Sequence, residues 1–166
     1  MADKYFLLNT LSGRQTVMWS QLQLSAVLIL AVVLAGCATD PQYQAAVRSL
    51  DEGAQVSGSM NSYPLVVKLQ RVDGRRLGYW QEQSVKPVLI EPGTRLLTVH
   101  GEYVGLPLSG QGDAELKAIL QAGHAYQLQV ERNGRLLTFW VEDVATHEAV
   151  SDRQTTKASV YIPFGP

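Results

Sequence analysis

Residues 124–143 read HAYQLQVERNGRLLTFWVED. Apolar and polar residues alternate on both sides of Asn133-Gly134, and alternation with a period of two is typical of a strand with one buried face. Asn-Gly favours a two-residue type I′ turn, because both of its residues tolerate positive φ. The two signals together predict a β-hairpin, in which Asn133→Val would be destabilising because a β-branched residue resists positive φ.

The turn also predicts the register of this hairpin. A two-residue loop pairs Arg132 with Arg135, and one face then pairs apolar residues only: Val130 with Leu137, Leu128 with Phe139, and Tyr126 with Val141. The other face is mixed: Glu131 with Leu136, Gln129 with Thr138, and Gln127 with Trp140. Because a slip by one residue would exchange the two faces, the alternation and the turn support the same buried face independently.

Two further turn dipeptides lie upstream. Asp73-Gly74 suits a type I′ turn and Pro92-Gly93 a type II turn. A regular hairpin at Asp73-Gly74 would pair Val67 with Trp80 but also Arg71 with Arg76, so a bulge or a longer loop is an alternative there. Apolar residues on both faces around Pro92-Gly93 indicate either a central strand or a crossing between two sheets.

Two segments complete the candidate domain. Residues 113–122 (DAELKAILQA) fit either a helix, by the spacing of their apolar residues, or a short strand. Residues 156–162 fit a last strand that covers a sheet edge. About seven short strands separated by such turns predict an all-β fold, an antiparallel β-sandwich over residues 54–166.

The N-terminal region has a different composition. Residues 24–35 (LSAVLILAVVLA) carry no charge, but a bilayer-spanning helix needs about 20 apolar residues, so the run fits the apolar core of a signal peptide. The region before it is only weakly basic, with Lys4 and Arg14, and Met18 is an alternative start to Met1.

The apolar run ends in Leu34-Ala35-Gly36-Cys37, which contains the only cysteine of the chain. This stretch resembles the lipobox of bacterial lipoproteins. The resemblance implies a signal peptide over residues 1–36, cleavage between Gly36 and Cys37, diacylglycerol on the Cys37 sulfur, and acylation of the new N-terminus. Ala38 rather than Asp follows the cysteine, which by the same resemblance implies the outer membrane. We therefore expect a lipid-anchored protein that faces the periplasm, with surface exposure as the alternative.

Residues 37–53 are expected to be the lipidated cysteine and a flexible tether, because they are polar and show no strand pattern. A short helix over residues 42–50 is the alternative.

The turn sequences of the domain, Val72-Asp73-Gly74 and Glu91-Pro92-Gly93-Thr94, resemble those of PEGA-like domains of bacterial envelopes. Pro64-Leu65-Val66-Val67, together with the anchor, is similar to the transthyretin-like lipoprotein of type VI secretion systems. These resemblances imply a structural or protein-interaction role in the envelope, or a secretion-system subunit.

Little in the sequence indicates catalysis or metal binding. The 14 Lys and Arg residues nearly balance the 15 Asp and Glu residues, which argues against a nucleic-acid partner. His100, His124 and His147 lack metal-ligand spacing, and no nucleophile elbow or phosphate-binding loop is present, so we expect neither an enzyme nor a cofactor. Glu142-Asp143 is interpreted as a solvated strand end.

Three aromatic residues are the candidate ligand contacts. Trp140 falls on the mixed face of the hairpin, and the neighbours Tyr79 and Trp80 are expected to point to opposite faces of one strand. Exposed aromatic rings suit stacking on sugars, which makes binding of an envelope glycan such as peptidoglycan the alternative function. The C-terminal residues Tyr161-Ile162-Pro163 could instead cover Trp140.

Overall fold

The computed structural model describes residues 42–62, 65–105 and 108–162. Over these ranges the chain is an all-β sandwich of two sheets, as the sequence predicts, but with eleven strands rather than about seven. The elements are β1 (Ala54–Ser57), β2 (Ser59–Ser62), β3 (Leu65–Val72), β4 (Arg75–Arg76), α1 (Tyr79–Glu82), β5 (Val88–Ile90), β6 (Gly93–Tyr103), β7 (Ser109–Leu120), β8 (Ala125–Asn133), β9 (Leu136–Asp143), β10 (Gln154–Lys157) and β11 (Ser159–Tyr161).

The two sheets differ in the number and order of their strands. The five-stranded sheet has the order β10-β9-β8-β1-β5, and the six-stranded sheet has the order β11-β7-β6-β3-β2, with β4 also paired to β3. Neighbouring strands are antiparallel except β1 and β8, which are parallel. The core lies between the sheets, because alternate residues of the long strands are fully buried, as in Leu128 and Val130 of β8 and Phe139 and Val141 of β9.

The β8–β9 hairpin has the predicted buried face but not the predicted turn. Asn133 pairs with Leu136, so the loop is Gly134-Arg135 rather than Asn133-Gly134. Gly134 has a φ of +61°, whereas Asn133 and Arg135 have no positive φ, and a type II′ turn needs positive φ only at its first central residue. Each predicted partner is displaced by two residues, which preserves the faces, and Trp140 lies opposite Gln129 rather than Gln127.

The Asp73-Gly74 turn is confirmed, with φ of +50° and +78°. Arg71 pairs with Arg76 as in the regular hairpin. The predicted pairing of Val67 with Trp80 is wrong, because β4 ends at Arg76 and the chain turns into α1.

Other open alternatives are resolved by the sheets. Gly93 has a φ of +109°, and the chain crosses between sheets at Pro92-Gly93, since β5 and β6 belong to different ones. Residues 113–120 belong to strand β7 and not to a helix. The C-terminal segment covers two edges rather than one, because β10 pairs with β9 and, after Ala158, β11 pairs with β7.

One close approach between the sheets requires a glycine. Gly101 of β6 faces the ring of Phe139 in β9, and a Cβ atom at Gly101 would lie 2.5 Å from Cε1 of that ring. Phe139 is completely buried. The aromatic ring therefore packs directly on the backbone of the six-stranded sheet.

Candidate functional site

Gly36 and Cys37 lie outside the described residues, so the predicted cleavage and lipidation site remains a prediction. The other candidate residues, Trp140, Tyr79 and Trp80, are all described.

Trp140 is covered on its outer side by a basic side chain. The guanidinium carbon of Arg153 lies 4.1 Å from the centre of the indole ring, and the indole N–H reaches Glu142 Oε2 at 3.5 Å. The cover comes from the segment that leads into β10, not from Tyr161, which belongs to β11 on the other sheet. Because a cation already occupies its ring face, Trp140 is poorly placed to stack on a sugar.

Tyr79 and Trp80 do not lie on a strand, which corrects the prediction that they point to opposite faces of one. Both belong to the single-turn helix α1, and both are exposed, Tyr79 by 67 % and Trp80 by 81 %. Their rings meet edge to face, with centres 5.2 Å apart and planes at 76°. An exposed tryptophan of this extent is unusual, since tryptophan is on average highly buried.

The residues around α1 fix its position. Arg76 donates two hydrogen bonds to the buried carboxylate of Glu82, at 3.0 and 2.9 Å. The backbone N–H of Gly78 donates to Gln81 Oε1 at 3.2 Å, and Leu77 is buried in the core. The exposed aromatic pair is thus carried by a turn that is held at both ends.

The N-terminal segment, residues 42–53, packs against the sandwich beside α1. Gln42 forms a parallel bridge with Arg76, and the N–H of Tyr43 donates to the Arg76 carbonyl at 2.6 Å. Further along, the N–H of Gly123 donates to the carbonyls of Leu50 and Gly53 at 2.8 and 2.9 Å. The part of the expected tether from Gln42 onward is therefore bound to the domain.

Glu91 holds the middle of this segment. Tyr43 Oη donates to its Oε2 atom at 2.5 Å, and the N–H of Ala46 donates to its Oε1 atom at 2.7 Å. Burial, and then the hydrogen bond to the carboxylate, raises the pKa of Tyr43. Burial opposes ionisation of Glu91, but the hydrogen bonds from Tyr43 and Ala46 outweigh it and lower the pKa of Glu91.

A groove of about 470 Å³ lies where the N-terminal segment meets α1 and β5. Gln42 and Tyr43 line one side, Pro87 and Leu89 the other, and Gln81 of α1 also contributes. A second, open groove of about 670 Å³ lies near β7 and is lined by Thr94, Lys117, Ile119, Val150 and Ser151, among others.

Each histidine lies beside a carboxylate, a relationship that the sequence spacing did not indicate. His124 Nδ1 lies 2.7 Å from Asp143 Oδ2, and His147 Nδ1 lies 3.2 Å from Glu142 Oε1. The sequence suggested that Glu142 and Asp143 form a solvated strand end. The structure corrects this, because each of the two carboxylates contacts a histidine. Asp143 is buried and also accepts the N–H groups of Ala145 and Thr146.

The hydrogen bond with His124, and then those from Ala145 and Thr146, lower the pKa of Asp143 despite its burial. The carboxylate fastens the turn after β9, and the pair occupies a structural position at the end of two strands. The third histidine, His100, lies on β6 with its Nδ1 atom 2.7 Å from Asp113 Oδ1.

Within residues 42–62, 65–105 and 108–162, no three His, Cys, Asp or Glu side chains are grouped so that they could hold a metal ion. In the same ranges, none of the helices has the length and hydropathy needed to cross a bilayer. No family model, curated protein or solved structure matches this chain.

Proposed function

We propose that this chain is a lipoprotein of the bacterial outer membrane, anchored through Cys37, whose β-sandwich serves a structural or protein-interaction role in the envelope. The observation that carries the proposal is the position of the sole cysteine. Cys37 follows the uncharged run of residues 24–35 after Gly36, and it precedes Gln42, the first of the described residues, which pairs with Arg76, by five positions.

The short spacing between Cys37 and Gln42 limits the distance between the domain and the membrane. Five residues extend over at most about 18 Å, whereas a free tether from Cys37 to Gly53 would extend over about 55 Å. Since Gln42 and Tyr43 are bonded to Arg76, the domain of an anchored molecule would stay close to the lipid surface. Lipid chains contribute about 0.8 kcal/mol per buried CH₂ group, so three chains on one cysteine would hold the protein permanently.

The proposal is tested by metabolic labelling with a fatty-acid analogue in a Gram-negative host, followed by mass spectrometry of the N-terminal peptide. We expect label on the wild-type protein, an N-terminus at Cys37, and neither in Cys37→Ser. The matched control is the double variant Cys37→Ser with Ser49→Cys, which moves the single thiol to an exposed position in the bound segment. Label on the double variant, or a mature wild-type N-terminus at another residue without acyl mass, would refute the proposal.

Glycan binding is the second candidate function, and the exposure of Trp80 and Tyr79 is the observation that favours it. Retention on isolated peptidoglycan that is lost in Trp80→Ala and kept in Trp140→Ala would support it. Retention that is absent, or equal in both variants, would remove it.

A further inference from the structure

The most exposed large apolar side chains of the described residues occur side by side on α1. Trp80 is 81 % exposed and Tyr79 is 67 % exposed. Their edge-to-face arrangement presents two ring edges at different angles and not one flat platform. Aromatic side chains with an apolar body and a polar N–H or O–H group suit the boundary between water and lipid, where one end can be wet.

The position of α1 relative to the N-terminal segment is the second observation. Gln42 pairs with Arg76, three residues before Tyr79, and its Nε2 atom lies 2.8 Å from the place where a side chain on Gly78 would begin. Gly78 directly precedes α1. Gln42 therefore lies beside the start of α1, and Cys37, five residues earlier in the chain, is at most about 18 Å away from it.

The charges around the pair are the third observation. Arg75 and Lys86 flank α1 in sequence and are both exposed. Glu82, the acidic residue of α1, is buried and bonded to Arg76. The exposed charged residues that flank α1 in sequence, Arg75 and Lys86, are thus basic, which suits the phosphate groups of a lipid surface.

We propose that Tyr79 and Trp80 insert into the headgroup region of the same membrane that holds the lipid anchor. This inference rests on the proposed lipidation of Cys37. The lipid anchor, which precedes the bound N-terminal segment, and the aromatic pair would then be two points of attachment to the membrane. Together they orient the domain with α1 toward lipid.

Tryptophan fluorescence of the full, detergent-extracted protein tests the proposal after reconstitution into vesicles of phosphatidylethanolamine and phosphatidylglycerol. The sequence contains Trp19, Trp80 and Trp140; Trp19 remains only in a chain whose signal peptide is not cleaved, so it is replaced as well. With Trp19→Phe and Trp140→Phe, Trp80 is the reporter, and we expect vesicles with acyl chains brominated near the headgroup to remove most of its emission. With Trp19→Phe and Trp80→Phe, Trp140 is the matched control and should keep its emission, because its ring is half-buried on β9 with Arg153 over its face, whereas Trp80 is 81 % exposed.

A second pair of variants tests the contribution of Tyr79. In the Trp80 reporter background, Tyr79→Ser should weaken the quenching, whereas Leu136→Ser, at an exposed apolar residue next to the β8–β9 turn, should not. Mass spectrometry of the same samples reports the acyl groups on Cys37.

Acylated protein in which Trp80 stays as bright as Trp140 would overturn the membrane contact and leave the proposed lipoprotein standing. Protein without acyl mass would overturn both. Unquenched Trp80 together with Trp80-dependent retention on peptidoglycan would assign the aromatic pair to a glycan instead.

Discussion

The hydroxyl of Tyr43 lies 2.5 Å from Oε2 of Glu91, a residue 48 positions further along the chain. The other carboxylate oxygen accepts the N–H of Ala46, so one side chain from the β5–β6 corner binds the N-terminal segment at two points. Through this contact, residues that the sequence assigns to a tether pack as part of the domain.

Tyr43→Phe should loosen this segment without a large loss of packing. The ring, which is 8 % exposed, is retained, while the hydrogen bond to Glu91 is lost, at a cost of about 1 kcal/mol of stability. Hydrogen exchange should show faster exchange at the amides of Tyr43 and Ala46. Tyr161→Phe, at a 44 % exposed tyrosine of β11, is the control and should leave these amides unchanged. Equal protection in Tyr43→Phe and wild type would contradict the role assigned to this contact.

Asp143→Asn should reduce the acid sensitivity of the fold. The pKa of Asp143 is lowered in the folded state, first by the hydrogen bond with His124, so its stabilising effect is complete above the unfolded pKa of about 3.9. That effect is lost as the pH falls through the lower folded value. Near pH 7 the variant should be less stable by about 1 kcal/mol, and the difference should shrink toward pH 2.

Urea unfolding between neutral and acidic pH measures this difference. Asp113→Asn is the matched control, because Asp113 also lies 2.7 Å from a histidine but is 63 % exposed, and an exposed pair contributes little. A constant difference between Asp143→Asn and wild type across the pH range would show that the carboxylate charge does not stabilise the turn.

Gly101→Ala should destabilise the sandwich by about 1–3 kcal/mol, because the new methyl group would overlap the ring of Phe139. Combining it with Phe139→Leu isolates the cause. If the clash is responsible, Gly101→Ala should cost much less in the Phe139→Leu background, and thermal unfolding of the four proteins gives the coupling energy. Additive losses would place the cause elsewhere in β6.

Gly134→Ala should destabilise the β8–β9 hairpin more than Asn133→Val. Gly134 holds the positive φ of the turn, and a left-handed conformation costs an L-residue about 1–2 kcal/mol, although a Cβ atom there meets no neighbour within 4 Å. Asn133 pairs with Leu136 inside the ladder, where valine is well accommodated. Thermal unfolding of both variants decides between this turn and one centred on Asn133-Gly134, which would reverse the order.

The strand faces were predictable from the sequence because burial on one face imposes a local period of two. In residues 124–143 that period places Leu128, Val130 and Phe139 on one face, and all of them are buried. The register was not predictable to the residue. A displacement by two preserves the faces, so alternation does not distinguish Asn133-Gly134 from Gly134-Arg135 as the loop.

The candidate surface was predictable in its residues and not in its geometry. Tyr79 and Trp80 stand out in the sequence as aromatic neighbours, but β4 ends after two residues, where Arg76 pairs with Glu82 and Leu77 enters the core. No periodic pattern in the sequence predicts these contacts. The histidine–carboxylate pairs were missed for the same reason, since His124 and Asp143 meet only through the pairing of β8 with β9.

The amino-acid sequence by itself determined the all-β class, the inward faces of the hairpin strands and the left-handed glycine at the β5–β6 corner, because each depends on neighbouring residues or on a period of two. Only the tertiary structure decided that Gln42 and Tyr43 join the domain, that β5 and β6 enter different sheets, and that α1 exposes its two aromatic rings. Those outcomes depend on contacts between residues far apart in the chain. Such contacts form, and stabilise the fold, only when the two sheets pack together.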